Sequence, residues 1–208
     1  MKNSLKPRVA WLVGIVCLAF AAAAAAGPPT DQTRQTVDRV LTIVRSPELK
    51  APARQQERRD QLRQAIYARF DFMEMAKRSL GPHWARRSPQ EQQEFVKVFT
   101  DLLENAYLDK IEGYQGEKIV YTREKLDGDN AEVDSKVVTQ KGEEFSINYK
   151  LASAGGEWKV YDVVVEDISL VNNYRSQFNR ILANASFDEL LRKLHQKSPD
   201  LKSPAAKG

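Results

Sequence analysis

The 208-residue chain lacks most of the side-chain chemistry that enzymes and metal sites use. It contains one cysteine, Cys17, and two histidines, His83 and His195, neither of which stands in a metal-ligand spacing such as H-x-x-x-H. No G-x-S-x-G nucleophile motif and no glycine-rich phosphate loop is present in the sequence. We therefore expect a protein that is not an enzyme and that holds neither a metal nor another cofactor.

The first 26 residues have the three parts of a secretory signal peptide. A basic start is followed by an apolar run over 9–20 and by small residues that end in an A-x-A site over 24–26. An uncleaved membrane anchor is the alternative, but alanine is only weakly apolar and the Gly-Pro-Pro sequence that follows would break a spanning helix. We predict cleavage before Gly27, export to the periplasm and a mature chain of 182 residues.

Cleavage would change both the charge and the cysteine content. The segment contains Lys2, Lys6 and Arg8 and no acidic residue, so its removal lowers the net charge from +4 to +1 and weakens any case for a nucleic-acid partner. Cys17 leaves with the segment, and a chain without thiols cannot mispair in an oxidising compartment. The sequence predicts a single domain over 27–197, a polar tail over 198–208 and a monomer.

Hydrophobic residues repeat with helical spacing at both ends of the chain. We predict helices over 36–45, 53–69, 70–84, 88–111, 170–183 and 186–197. The clearest helix start is Ser88-Pro89-Gln90-Glu91, in which serine caps, proline occupies the first turn and Glu91 completes a capping box.

The middle of the chain alternates with a period of two. Four strands are predicted near 119–121, 131–137, 145–151 and 158–165, and short turns rich in glycine, aspartate and asparagine join them. Helices on either side of an antiparallel meander indicate an α+β fold.

The fourth predicted strand is apolar at every alternating position. Strict alternation would place Trp158, Val160 and Val164 on one face and Tyr161, Val163 and Val165 on the other. We therefore expect this strand to be covered on both faces, by helices, by a cavity or by both.

Two features of the chain have more than one interpretation. The surplus of large apolar side chains could fill a solid core or line a cavity for acyl chains, because both arrangements use the same residue types. Asp71 and Asp162, which large apolar residues flank, could be bases with a raised pKa, or could cap helices and accept hydrogen bonds from backbone amides.

Residues 157–178, EWKVYDVVVEDISLVNNYRSQF, resemble the pattern W-K-V-Y-D-V-x-[VI]-E-x-[IV]-S-L-V-x-N-Y-R-x-Q-F of the MlaC family, periplasmic lipid shuttles also described as toluene-tolerance auxiliary proteins. Three further blocks match in order, FDFMEMAKRSLGPHW, SPQEQQEFVKVFTDLLENAYLDKIEGYQGEKI and FDELLRKL. The matching positions include Phe70, Asp71, Leu80, Gly81, Trp84, Phe95, Phe99, Tyr107, Trp158, Tyr161, Asp162, Ser169, Tyr174, Arg175 and Phe178.

The chain departs from the family pattern at two places. Asp167 stands where the family often has glycine, and Ala68-Arg69 replaces a frequent Pro-aromatic pair. If position 167 requires a positive φ, aspartate tolerates that conformation less well than glycine.

The resemblance implies an NTF2-like fold, in which N-terminal and C-terminal helices cover a four-stranded antiparallel sheet and enclose a hydrophobic pocket. It implies a carrier that moves phospholipid between an outer-membrane lipoprotein complex and an inner-membrane ABC transporter with an MCE-domain component. A hopanoid or another amphiphile is an alternative cargo, and an NTF2-like enzyme that uses a buried aspartate is an alternative function.

Ten residues are our candidates for lipid contact. The expected contacts to acyl chains are Phe95, Phe99, Leu103, Ile147, Tyr149, Trp158, Val160 and Phe178. Tyr174 and Arg175 are the candidates for contact with the lipid phosphate, although Arg175 could instead pair with a carboxylate that fixes its helix.

Overall fold

The computed structural model describes residues 27–196. The predicted signal peptide and the predicted polar tail lie outside the described residues. The elements are α1 (Pro28–Arg45), α2 (Gln55–Tyr67), α3 (Phe72–Leu80), α4 (Pro89–Glu112), β1 (Lys118–Asp127), β2 (Asn130–Val138), β3 (Glu144–Ala154), β4 (Glu157–Val165), β5 (Ile168–Ser169), α5 (Leu170–Leu182) and α6 (Phe187–His195). Short 3-10 turns follow α1 and α3.

The strands form one sheet in the order β1-β2-β3-β4-β5, and each strand is antiparallel to its neighbours. This arrangement confirms the predicted α+β class and the antiparallel meander. The sheet has five strands rather than four, because Ile168–Ser169 turns back to pair with Val164 and Val165. A two-residue strand is too short to produce a detectable alternation in sequence.

Helix α1 begins eight residues earlier than its periodicity predicts. Pro28 and Pro29 occupy its first turn, where a missing N–H has no cost. Pro29, Thr30 and Thr33 are buried near this end of the helix, and the Thr33 hydroxyl donates to the Pro29 carbonyl at 2.7 Å. Because the buried positions here are occupied mainly by threonines, the first half of α1 has no apolar stripe, and periodicity alone could not locate its start.

Strand β4 contains a bulge that corrects the expectation of two apolar faces. Lys150 pairs with Asp162, but the next residue, Leu151, pairs with Val160, so Tyr161 is an extra residue. A one-residue insertion reverses the alternation beyond it. The residues of β4 that share one face of the sheet are therefore Trp158, Val160, Val163 and Val165.

Beyond this bulge the opposite face of β4 carries Asp162 and Val164. We call the face with Val160 the apolar face and the other the polar face. The apolar residues of this strand thus lie mainly on one side, and the prediction that both faces are apolar is wrong.

The free edge of β4 is covered by two segments of the chain. Val160 exchanges backbone hydrogen bonds with the segment before α3, donating to the Arg69 carbonyl at 2.9 Å and accepting from the Asp71 amide at 2.8 Å. Arg69 also donates to the Trp158 carbonyl and to the Gln32 side chain, each at 2.6 Å. Arg69, which departs from the family pattern, therefore connects α1 to β4.

The turn between β4 and β5 places two non-glycine residues in the left-handed region. Glu166 has φ 48° and Asp167 has φ 63°, the conformation of a tight hairpin turn in which glycine is favoured. The Glu166 carboxylate compensates by accepting from the Ser146 amide at 2.5 Å and from the Ser146 hydroxyl at 3.1 Å. No hydrogen bond or ion pair of the Asp167 side chain is among the contacts that the structure describes.

We predict that Asp167→Gly stabilises the protein by about 0.5–1 kcal/mol, because glycine adopts a positive φ without strain. For a chain of this size the melting temperature should rise by about 2–3 °C in a thermal unfolding experiment. Asp167→Ala, which keeps a Cβ at this position, is the matched control and should give no increase. A melting temperature that falls in Asp167→Gly would show that the aspartate has a stabilising contact.

The buried apolar side chains form three clusters. The helical cluster joins α3, α4, α5 and α6 around Phe95, Phe99, Tyr174 and Phe178. The hairpin cluster joins α1 and α2 to Leu108 of α4. The sheet cluster consists of Ala131, Val133, Leu151 and Val160. The half-buried Phe70 packs against both the helical and the sheet cluster, so it connects these two.

Charged contacts fasten the α1–α2 pair to α4. Arg58 pairs with Glu112 at 2.9 Å and Arg63 with Glu104 at 2.9 Å, and both carboxylates are largely buried. The Glu104 carboxylate and its hydrogen bond raise the pKa of the Arg63 guanidinium. These pairs, together with the apolar contacts of the hairpin cluster, hold α2 against α4.

Candidate functional site

The apolar face of the sheet is only partly covered by helices. Helix α1 runs along this face, where the Thr30 amide donates to the Glu124 carboxylate at 2.8 Å and the Trp158 amide donates to the Gln32 side chain at 2.9 Å. Helices α3 and α5 contact the sheet at β4. The longest helix, α4, packs mainly against α3 and α6.

Strand β3 shows most clearly that the apolar face is open. It lies in the centre of the sheet, yet Phe145, Ile147 and Tyr149 all remain half-buried. On the neighbouring strand, the buried residues Val133 and Val137 point to the same face. A central strand is normally the best covered strand of a sheet, so large apolar side chains that stay accessible here indicate a recess that this chain does not fill.

Tyr149 supports the presence of a recess. Burial raises the pKa of its hydroxyl to about 12, yet part of its side chain remains accessible. The Tyr149 side chain is therefore largely enclosed by protein but not closed off from solvent. Its cross-strand neighbours on the apolar face are Val133 and Val163.

Five of the predicted lipid contacts lie together in the helical cluster. They are Phe95, Phe99, Leu103, Tyr174 and Phe178. The rings of Phe95 and Phe178 meet edge to face with centroids 5.6 Å apart, and so do those of Phe99 and Tyr174. These side chains are nearly inaccessible and contact one another, which is the arrangement of a filled core.

The other predicted tail contacts share the apolar face of the sheet. Ile147, Tyr149 and Trp158 are half-buried, and Val160 is fully buried beside Leu151. Val163 and Val165 join them because of the bulge at Tyr161, so the sequence analysis missed these two residues. Their apolar character was visible in sequence, but the inserted residue that turns them to this face was not.

The two residues predicted near the lipid phosphate point away from each other. Tyr174 is buried in the helical cluster, whereas Arg175 is exposed on the surface of α5. Arg175 lies over Gly81, where a Cβ would come within 2.8 Å of its Nε, and Gly81 has φ 57°. Arg175 forms no ion pair with a residue in 27–196, so the structure does not show the pairing considered as its alternative role.

Both apolar-flanked carboxylates have structural partners. Asp71 caps α3, where its Oδ1 accepts from the Glu74 amide at 2.9 Å. Asp162 is buried and accepts from the Ser169 hydroxyl at 2.6 Å and from the Val171 amide, at the start of α5, at 3.0 Å. These are the contacts of capping residues and not of a base that waits for a substrate.

A group of polar residues borders the apolar face at β1. The buried Tyr121 hydroxyl has no hydrogen-bond partner among the described residues, and the Arg34 guanidinium carbon lies 4.9 Å from the centroid of the Tyr121 ring. In the sequence Tyr121 is recognisable only as a strand residue, and Arg34 lies in the half of α1 that has no apolar pattern, so neither residue was predicted to belong to a site.

Two surface grooves flank α6. One of about 340 Å³ includes His83, Arg87 and Phe187, and one of about 370 Å³ includes Glu94, Arg192 and His195. Both are open grooves with mixed apolar and polar linings, and neither includes a residue of the apolar face of the sheet. Within 27–196, no group of three or more His, Cys, Asp or Glu residues could hold a metal ion. None of the helices in this range has the length and apolar character needed to cross a membrane.

Comparison with known proteins gives consistent matches. A family model described as MlaC protein matches residues 34–196. The intermembrane phospholipid transport system binding protein MlaC of Haemophilus influenzae is 29% identical over 122 residues, which cover 56% of this chain and 57% of that protein. The toluene tolerance protein ttg2D of Pseudomonas putida is 32% identical over 94 residues, 45% of this chain and 44% of that protein. The chain thus spans about half the length of these curated relatives.

A solved structure matches more of the fold. The phospholipid-binding protein from Ralstonia solanacearum, solved in complex with a phospholipid, superposes with a TM-score of 0.73 and 25% sequence identity. The match covers 82% of this chain and 97% of that chain. It therefore extends over nearly all the described residues.

Proposed function

Because this chain belongs to the MlaC family, we propose that it is a carrier that holds the acyl chains of a phospholipid against the apolar face of its sheet. The observation that carries this proposal is the central strand β3, whose residues Phe145, Ile147 and Tyr149 are only half-buried. A relative of similar fold binds a phospholipid. An acyl chain would cover these side chains and complete the core.

The energy of binding comes from removing hydrocarbon from water. Each buried CH₂ group contributes about 0.8 kcal/mol, so even a partly covered acyl chain provides a large favourable free energy. Ordering the chain and the surrounding side chains opposes binding. A recess that already exists in the protein lowers this opposing term, because few side chains must rearrange to admit the lipid.

We assign the acyl-chain contacts first to the sheet. Ile147, Tyr149, Trp158 and Val160 lie on the apolar face, together with Val163. The contact of acyl chains with the helical cluster stays a prediction. Its residues are Phe95, Phe99, Leu103, Tyr174 and Phe178. They would meet a tail only if their ring contacts opened, so we expect them to form the rigid wall behind the recess.

In this proposal the protein exchanges lipid with membrane-bound partners across the periplasm. The family points to an outer-membrane lipoprotein complex and to an inner-membrane ABC transporter with an MCE-domain component. A carrier by itself only equilibrates lipid between membranes, so direction must come from differential affinity at the partners or from ATP hydrolysis. Cleavage before Gly27 and a monomeric state belong to the same proposal.

Catalysis is not part of the proposal. An NTF2-like enzyme would need a buried aspartate as a base, and both candidate aspartates accept hydrogen bonds from backbone amides at the start of a helix. Asp162 accepts from the start of α5, and Asp71 caps α3. A hopanoid would also fit an apolar recess, but it would leave the polar group around Tyr121 without a partner.

Native mass spectrometry of protein purified without detergent tests the proposal. We expect a fraction of the protein to carry the added mass of a phospholipid, which organic extraction should release and identify. Delipidated protein that is refolded and exposed to phospholipid vesicles should regain this mass. Its melting temperature should rise as well, because a ligand that binds only the folded state stabilises it.

Other masses would lead to other conclusions. A co-purifying hopanoid would change the cargo while keeping the carrier. Protein that contains no lipid and does not take it up from vesicles would contradict the carrier function.

A further inference from the structure

The hydroxyl of Tyr121 is a buried donor without a partner. It forms no hydrogen bond with any residue of 27–196, although the oxygen is inaccessible to solvent. A buried polar group in this state typically costs about 1–3 kcal/mol, and such groups are rare enough that each calls for an explanation. Tyr121 lies on the apolar face, across from Ser135, so its ring borders the recess over β3.

The surroundings of this hydroxyl come from two elements. Burial raises the pKa of Tyr121, and the nearby Tyr149 and Asp38 add to the rise while Arg34 opposes it. Tyr149 lines the recess, and Arg34 and Asp38 belong to α1. The hydroxyl therefore lies where the apolar recess meets two charged side chains.

Arg34 and Asp38 are one helical turn apart and carry opposite charges. Residues with this spacing have Cβ atoms about 5–6 Å apart and often form an ion pair. Here the Arg34 guanidinium lies over the Tyr121 ring at 4.9 Å, and neither side chain forms an ion pair with a residue of the described range. Both are exposed, so each charge is available to a ligand.

We propose that Arg34, Tyr121 and Asp38 form the headgroup site for a zwitterionic phospholipid of the phosphoethanolamine type. This inference rests on the proposed carrier function. The Arg34 guanidinium and the Tyr121 hydroxyl donate to phosphate or ester oxygens, and the Asp38 carboxylate accepts from the ammonium group. A two-carbon bridge separates phosphate and ammonium in this headgroup, which suits two charges placed one helical turn apart.

The same arrangement disfavours an anionic headgroup. A glycerol headgroup brings the phosphate charge without an ammonium group, so Asp38 would face a negative ligand with no compensation. The site is thus selective through a repulsive contact as well as through an attractive one. Lipids without phosphate would leave both Arg34 and Tyr121 without partners.

The test compares three lipids with identical acyl chains: phosphatidylethanolamine, phosphatidylglycerol and diacylglycerol. Wild-type protein should prefer phosphatidylethanolamine over phosphatidylglycerol about fivefold in competition measured by native mass spectrometry. Asp38→Asn should remove this preference. Arg34→Gln should weaken both phospholipids about fivefold relative to diacylglycerol. Arg39→Gln, an exposed arginine on another side of α1, is the matched control and should change neither ratio.

Tyr121→Phe separates a role of the hydroxyl in binding from a role in stability. Because it removes an unpartnered buried hydroxyl, it should leave the lipid-free protein at least as stable as wild type while weakening phospholipid about threefold. If wild type binds all three lipids equally and the variants do not differ, the headgroup site is wrong and the carrier function stands. If wild type binds no lipid, both proposals fail.

Discussion

Ile147→Asp is expected to abolish phospholipid binding while the protein stays folded. Ile147 lies on the central strand β3, on the apolar face, and is half-buried. Without lipid, water in the recess can solvate a carboxylate at this position. With an acyl chain in place, the short aspartate side chain cannot reach solvent, so the charge loses its hydration and gains no partner.

The effect on binding should exceed the effect on folding by a wide margin. Leaving a carboxylate unpaired against hydrocarbon costs several kcal/mol, which corresponds to at least a hundredfold loss of affinity. Folding loses only the contacts of one half-buried side chain and some strand propensity, about 1–2 kcal/mol. Lipid content by native mass spectrometry and unfolding by circular dichroism measure the two effects on the same samples.

Val120→Asp is the matched control for this substitution. Val120 is an exposed, β-branched residue on β1 that faces the polar side of the sheet, across from Lys136. Val120→Asp introduces the same charge into another strand of the sheet with the same loss of strand propensity, so this variant should keep its lipid. If Ile147→Asp also retains its lipid, the tails do not lie against β3, and the opened helical cluster becomes the site to test.

The types of most elements could be predicted because each has its own local signal. Helix α4 begins where the capping box predicts, with the Ser88 amide donating to the Glu91 carboxylate at 2.7 Å. The positive φ at Asp167, considered from the family pattern, is confirmed. The bulge at Tyr161 could not be predicted, because one extra residue in an apolar strand leaves the composition unchanged and alters only which face each side chain takes.

The candidate site was predictable in its residue types but not in its shape. Phe99 and Tyr149 are both aromatic, and both were predicted to contact lipid. The structure places Phe99 in ring contacts that leave it inaccessible, whereas Tyr149 keeps accessible surface on the apolar face of the sheet. Whether a neighbour fills the adjacent space depends on how elements distant in sequence pack, which the periodicity of a single segment does not encode.

For the two aspartates, the sequence allows either a base or a helix cap, and the structure favours the cap. Large apolar residues flank both Asp71 and Asp162, and both were candidates for a base or a cap. In the structure each accepts from the backbone at the start of a helix, Asp71 at α3 and Asp162 at α5. They differ in burial, since Asp71 is half-buried and Asp162 is only 4% exposed. This difference predicts unequal consequences of removing them.

Asp162→Ala is expected to destabilise the protein by about 2–4 kcal/mol, because three contacts depend on this buried carboxylate. It accepts from the Ser169 hydroxyl and the Val171 amide, and Lys150 lies 3.8 Å away. Alanine would leave the Val171 amide buried without an acceptor and would remove the side-chain contacts that hold the start of α5 to β4. Thermal or denaturant unfolding should show a melting temperature lower by roughly 6–12 °C.

Asp71→Ala provides the comparison, since it removes a carboxylate of the same kind from a less buried helix start. Loss of this N-cap should cost about 1 kcal/mol. Asp162→Asn, which keeps an acceptor oxygen for the Val171 amide, should fall between the two. If Asp162→Ala proves no more destabilising than Asp71→Ala, the carboxylate does not anchor α5, and its burial between strand and helix would need another explanation, with a catalytic role first to be tested.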